Sequence, residues 1–176
     1  MTPSIRPATE SDIAAITGIY AHHVLHGTAS FEIDPPDAVE MARRWKDLHD
    51  RNFPYLVAEE ADLLLGYAYA GPYRPRVAYR YTVEDSIYVH PDHAGKGIGG
   101  KLLPALAGAC EKAGLRQMIA VIGDSGNAAS IRLHRRCGFE DAGILRNVGL
   151  KFGRWLDVVL MQRTLGRGTA TIPVTY

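Results

Sequence analysis

The sequence carries almost no net charge: 20 Lys and Arg against 19 Asp and Glu leave +1 over 176 residues. That balance gives no bulk electrostatic reason to bind nucleic acid or an acidic membrane, so any positive patch must be local. Cysteine is scarce as well. Cys110 and Cys137, the only two, sit in helical patterns without metal-type spacing and read as small buried hydrophobes. No apolar run nears the roughly 18 residues of a membrane span. The first residues lack the basic-then-apolar layout of a secretory signal. No repeat, low-complexity segment or linker interrupts the chain. What remains is ordinary soluble globular composition, 47% apolar and 22% charged, in one domain expected in the reducing cytoplasm.

The richest stretch runs from Val89 to Leu103. A β-branched and aromatic run, Ser86 to Val89, stops at His90-Pro91, crosses a loop holding Gly95, Gly97, Gly99 and Gly100, and opens into the apolar helical pattern Leu102, Leu103, Leu106. Glycines at a helix start let the backbone approach a ligand, and the unpaired first-turn N–H groups favour an anion, a phosphate above all. A Walker loop is excluded, because Gly95 is followed four residues later by Gly99, and Lys101 by Leu102. Gly95-x-Gly97-x-x-Gly100 mimics the dinucleotide fingerprint, but no acidic residue ends a second strand about 20 positions on. A glycine-rich turn without a ligand is the remaining plain alternative.

Ser4 to Arg6 reads as a short strand ended by Pro7. Thr9 to Asp12 forms a capping-box-like start for a first helix to about Leu25. His22, His23 and His26 look like a metal cluster, but two are adjacent and no carboxylate completes a site, so they read as solvated or helix-end residues. Asp34-Pro35-Pro36 is expected to open a second helix, with proline in its first turn, to about Asp50. Tyr55 to Glu59 and Leu63 to Ala70 read as a hairpin. An Arg- and Tyr-rich loop follows, in which Arg74 and Arg80 suit either solvent or a substrate carboxylate.

The strand Thr82 to Val89 holds adjacent acids. Strand alternation puts Glu84, Ser86 and Tyr88 on one side and Asp85, Ile87 and Val89 on the other, so one acid must face a covered surface unless the strand is irregular. Partial burial would raise a Glu pKa towards that of a useful base. Helix three extends to about Ala113, with Gly114 as its stop. Gln117 to Gly123 is a buried strand, and Asn127 to Gly138 a short helix carrying His134. Ala142 to Lys151 and Arg154 to Leu165 read as two long strands meeting at Phe152-Gly153. Residues 166–176 form a patternless, loosely held tail behind a domain spanning 1–165.

Ala94-Gly95-Lys96-Gly97-Ile98-Gly99 resembles the pyrophosphate loop of the GCN5-related N-acetyltransferases (GNAT), Gln/Arg-x-x-Gly-x-Gly/Ala, with Ala94 at the usual Gln/Arg position. The order of elements also resembles that family along nearly the whole chain. Its last-helix pattern, Asn-x-x-Ala/Ser-x-x-x-Tyr-x-x-x-Gly-Phe, is met by Asn127, Ser130, Gly138 and Phe139, with His134 in the tyrosine place. That departure, with the segments Thr82 to Val89, Ala68 to Pro72 and Lys151 to Asp157, is similar to the phosphinothricin and methionine sulfoximine acetyltransferase branch. The resemblance implies a single-domain α/β GNAT fold, a mixed, mostly antiparallel sheet of about seven strands flanked by about four helices.

It also implies acetyl-CoA as co-substrate, no metal, and a small amino-acid-like amine as acceptor. Family relatives pair as dimers, so a homodimer is expected, without nucleic acid or membrane partners. By the same resemblance the strand end at Val89 would splay from its neighbour. The Val89 N–H would then polarise the thioester carbonyl, while Gly95, Lys96, Gly97, Ile98, Gly99 and Gly100 hold the pyrophosphate and Asn127 contacts the pantetheine arm. Glu84 is the candidate base and His134 the partner in proton transfer. Phe31, Arg74, Arg80 and Ser86 are the candidate acceptor contacts. Acetylation of another small amine or of a protein amine, and a sensor that binds coenzyme A without turnover, are the rival readings.

Overall fold

The computed structural model describes residues 3–173. The chain builds β1 (Ser4–Pro7), α1 (Ile13–His26), α2 (Ala38–Asp50), β2 (Tyr55–Glu60), β3 (Leu63–Pro72) and β4 (Thr82–Val89). There follow α3 (Ile98–Lys112), β5 (Gln117–Gly123), α4 (Ala128–Arg136), β6 (Glu140–Lys151) and β7 (Arg154–Thr164). The strands form one sheet ordered β1-β2-β3-β4-β5-β7-β6, antiparallel except for the β4–β5 pair. This is the single-domain α/β architecture, four helices on a mixed seven-stranded sheet, that the resemblance implied.

Each face of the sheet has its own core. Leu102, Leu103 and Leu106 of α3 pack with Leu65, Val83, Met118 and Met161 on one face. Ile16, Ile19 and Val24 of α1 and Met41 of α2 cover Val57, Tyr67 and Tyr88 on the other. Strand alternation therefore sends neighbouring residues of β4 into different cores.

Two expectations shift. Helix two begins at Ala38, not at the prolines, because the Asp37 side chain takes the N-cap role and accepts from the Glu40 N–H at 2.8 Å. Pro35 and Pro36 stay outside it, as the bias of pre-proline residues against helical geometry favours. The start of the tail is turned back on the domain rather than loose: Gly168 is buried, and its N–H donates to the Leu165 carbonyl at 2.9 Å. The last three residues of that tail lie outside the described part of the chain.

Candidate active site

The sheet opens at the parallel β4–β5 junction. Thr82–Asp85 of β4 pairs with Gln117–Ala120 of β5, and the register stops there although both strands continue. The His90 N–H donates to Leu65 of β3 at 2.8 Å. Since backbone polar groups alternate along a strand, Val89 must turn its N–H and carbonyl to the opposite side, into the gap. His23 of α1 takes the Val89 carbonyl, with its Nε2 at 2.8 Å, so Nε2 carries the hydrogen. Burial lowers the pKa of this ring, although the Val89 bond opposes the shift, which keeps it neutral. His23 is thus a helix-end residue, in the last turn of α1, but a half-buried and engaged one rather than solvated. It fills the place β5 has left, a contact across 66 residues that no local pattern announces.

Two cavities meet in this gap. The larger, about 830 Å³, runs past Val89 and the glycine loop to Asn127. Gly95 and Gly97 have φ of 77° and 81°, and Gly97 is the N-cap of α3 with no side chain capping it. An added Cβ at Gly95, Gly97 or Gly100 would meet nothing within 4 Å, so the loop presents bare backbone to open space. With the first-turn N–H groups of α3, this donor set fits a pyrophosphate. Asn127 caps α4, its side-chain oxygen accepting from the Ser130 N–H at 3.2 Å. Arg154, on the rim of the same cavity, is held by Asp124 at 2.8 Å.

The smaller cavity, about 330 Å³, is lined by Phe31, Glu84, Asp85, Ser86 and His134, and shares Ile87, Asn127 and Ser130 with the larger one. Glu84 and Asp85 point to opposite faces of the sheet, and the gap is what brings both to one space. Burial raises the Glu84 pKa, the Asp85 charge adds to the rise, and Arg74 partly offsets it. Asp85 is the covered acid that alternation required, 7% exposed, and its Oδ2 stands 3.0 Å from His134 Nε2. His134 Nδ1 faces the Ser130 carbonyl at 2.8 Å. Burial alone would lower the His134 pKa, but the bond to Asp85, its charge and the Ser130 carbonyl raise it. With acceptors at both nitrogens, His134 is held as an imidazolium. Asp85 Oδ1 is buried and has no partner.

Phe31 and Ser86 therefore come to the cavity with Glu84 and His134, whereas Arg74 and Arg80 line neither space. Their guanidinium groups stack on Tyr73 at 5.0 Å and Tyr81 at 4.9 Å, on an exposed arm. Lys96 is not among the lining residues of the glycine-loop cavity. Burial pushes the Cys110 thiol up to about 12 and that of Cys137 upward, so neither suits a nucleophile. Among the described residues no group of His, Cys, Asp and Glu could hold a metal ion, and no helix is long and apolar enough to cross a membrane.

A bare glycine cradle beside two parted strands, continuous with a small cavity holding a carboxyl of raised pKa, defines a protein that places an acyl-CoA thioester against an acceptor. The comparisons are specific. The family model described as "Acetyltransferase (GNAT) family" matches residues 16–139. The phosphinothricin N-acetyltransferase of Alcaligenes faecalis is 56% identical over 170 residues, 97% of this chain and 86% of that protein. The L-methionine sulfoximine/L-methionine sulfone acetyltransferase of Pseudomonas aeruginosa PAO1 is 47% identical over 94% of this chain and 96% of its own length. The crystal structure of a phosphinothricin acetyltransferase from Sinorhizobium meliloti with acetyl-CoA superposes with a TM-score of 0.95 at 49% identity, covering 99% of this chain and 94% of that one. The chain belongs to the GNAT acetyltransferase family, and it is an acetyl-CoA-dependent N-acetyltransferase.

Proposed function

We propose that the protein acetylates the α-amine of a small amino-acid analogue of the phosphinothricin, methionine sulfoximine or methionine sulfone type, as a cytoplasmic homodimer. The observation that carries this reading is the meeting of the two cavities at the parted strands, with Glu84 lining the smaller one. The relatives' named substrates support the acceptor class.

Acetyl-CoA supplies an acetyl group on a thioester, whose C–S bond breaks as the amine nitrogen bonds to the carbonyl carbon. The chain's own residues do the rest. Backbone N–H groups from Gly95 to Gly100 hold the pyrophosphate, with Lys96 adding positive charge, and Asn127 stands beside the pantetheine arm. The Val89 N–H, turned into the gap, donates to the thioester carbonyl oxygen where charge develops. An amino-acid amine is largely protonated at neutral pH, and Glu84, its pKa raised by burial, takes that proton directly or through a water. His134 stands across the gap as an imidazolium with both N–H groups engaged. It contributes positive charge and, releasing one of those N–H groups, a proton for the leaving thiolate; the second proton lost by the acylated nitrogen replaces it on the ring, while the Asp85 carboxylate stabilises the ring's charge without contacting the acceptor. Ser86 and Phe31 line the acceptor side, and the Arg74 and Arg80 arm supplies cationic charge for the acceptor carboxylate.

The dimer reading rests on β6 and β7, where Ile144, Leu145, Val148, Leu150, Phe152 and Trp155 are all exposed, an apolar strip of the kind that marks a protein interface. Sedimentation at micromolar concentration should give twice the 19.3 kDa chain mass. The functional test is the rate of coenzyme A release from acetyl-CoA with methionine sulfoximine, phosphinothricin and a panel of unrelated amines. Turnover of the first two above the panel supports the reading. Binding of coenzyme A with no amine-stimulated release would overturn it in favour of a sensor.

A further inference from the structure

The loop between α1 and α2 forms one wall of the small cavity, and what holds it comes from the far edge of the sheet. A Cβ built on Gly149 of β6 would stand 2.6 Å from Phe31 Cδ2 and 2.9 Å from its Cζ, closer than a real side chain approaches. A Cβ on Gly123, at the end of β5, would stand 2.9 Å from Phe31 Cε1 and would also overlap the Thr28 carbonyl. The ring thus lies across β7 with its opposite edges on two glycines. Gly149 lies outside the left-handed region, so its backbone would accept an alanine, and the three atoms nearest such a side chain all belong to the phenyl ring. Two residues on, Lys151 is 3% exposed and donates from Nζ to the Ser30 carbonyl at 2.7 Å. Along this stretch of β6, Gly149 and Lys151 are buried while Val148, Leu150 and Phe152 are exposed, so the loop covers one face of the strand.

We infer that Gly149 is a specificity-determining positioning residue: it seats the Phe31 ring, with Lys151 pinning the backbone beside it, and so fixes the size of acceptor the cavity takes. Gly149 touches neither acceptor nor donor; it acts through Phe31. The inference rests on the small cavity being the acceptor site.

The test is a double-mutant cycle of Gly149→Ala and Phe31→Ala, read in acceptor KM, acetyl-CoA KM, kcat and Tm. In the wild-type background, Gly149→Ala should raise acceptor KM about tenfold, the scale of one misplaced methylene in a pocket, and leave acetyl-CoA KM within twofold. In the Phe31→Ala background the same substitution should change neither acceptor KM nor Tm, because the clash partner is gone. Equal effects in both backgrounds, or an equal rise in the KM of both substrates, would overturn the inference. Wild-type turnover is measured first: without it the functional reading fails, and coupling in Tm alone then supports or overturns the seat.

Discussion

The proposed acceptor side draws on two loops, of which only the first lines a cavity, and they are held in opposite ways. Within residues 27–37, Thr28, Ser30 and Glu32 are tied to partners outside the loop. Thr28 reaches Asp124, Ser30 bonds Tyr20 at 2.9 Å and Lys151 at 2.7 Å, and Glu32 pairs with Arg44 at 2.6 Å. Residues 73–80 are held mostly by their neighbours, up to Tyr81, whose carbonyl accepts from the Arg116 and Gln117 N–H groups at 2.8 and 3.2 Å. A single 3-10 turn at Val77–Tyr79 is closed by Tyr79 N–H to Arg76 and Arg80 N–H to Val77, and the arginines stack on adjacent tyrosines. Contacts across the fold fix a wall before any ligand arrives, whereas local contacts leave an arm whose geometry is settled at low cost. The first loop is thus a preorganised boundary and the second an adjustable cationic one, with Glu84 between them.

The largest effect should come from the centre. Glu84→Gln should lower kcat by about 10²–10⁴-fold with acetyl-CoA affinity unchanged, since it removes the base. A small loss would shift the weight of catalysis from the strand to the loops. Removing a tie of the fixed wall comes next: Lys151→Met leaves the Ser30 carbonyl buried without its donor. It should cost about 1–3 kcal/mol in denaturant unfolding while raising acceptor KM. The matching cut in the arm, Arg74→Ala, should change stability by no more than about 0.5 kcal/mol. It should nonetheless move the acidic limb of the kcat/KM profile to higher pH. Arg74 lowers the Glu84 pKa against burial and Asp85, so without it the base is deprotonated later. A fall in stability as large as that of Lys151→Met would erase the distinction between the loops.

Behind the site, the Asp85–His134 pair gives a pH signature independent of both loops. The folded chain holds the His134 proton above the ordinary pKa of about 6.5, so this stabilisation is complete below that pH and fades as pH rises through the folded value. Asp85→Asn should therefore destabilise most at low pH and least at high pH. A constant penalty across that range would mean that the ring is neutral in the folded state.

How much of this was legible in the sequence depends on how local each signal is. The glycine loop, the helix start near Asn127, the helix stop at Gly114 and the period-two run of β4 are short-range patterns, and they appear as read. Alternation showed that one of two adjacent acids had to be covered, yet could not choose Asp85, because its partner His134 lies 49 residues away on another element. The same limit explains His23, whose acceptor is a strand carbonyl 66 residues on, and Phe31, which was named without its seat at Gly123 and Gly149. Arg74 and Arg80 were chosen for chemistry alone, and the tyrosines beside them absorb their guanidinium faces. Proline near a helix start misled because Asp37, one residue further on, makes the better cap.

The contrast between fixed wall and adjustable arm is tested most directly by amide hydrogen exchange over residues 28–32 and 74–80, with acetyl-CoA present and with or without methionine sulfoximine. Slow exchange at 28–32 in both states, with 74–80 fast alone and slowed by the acceptor, is the expected result. Equal exchange in the two loops without acceptor, or protection gained at 28–32 instead of 74–80, would contradict it.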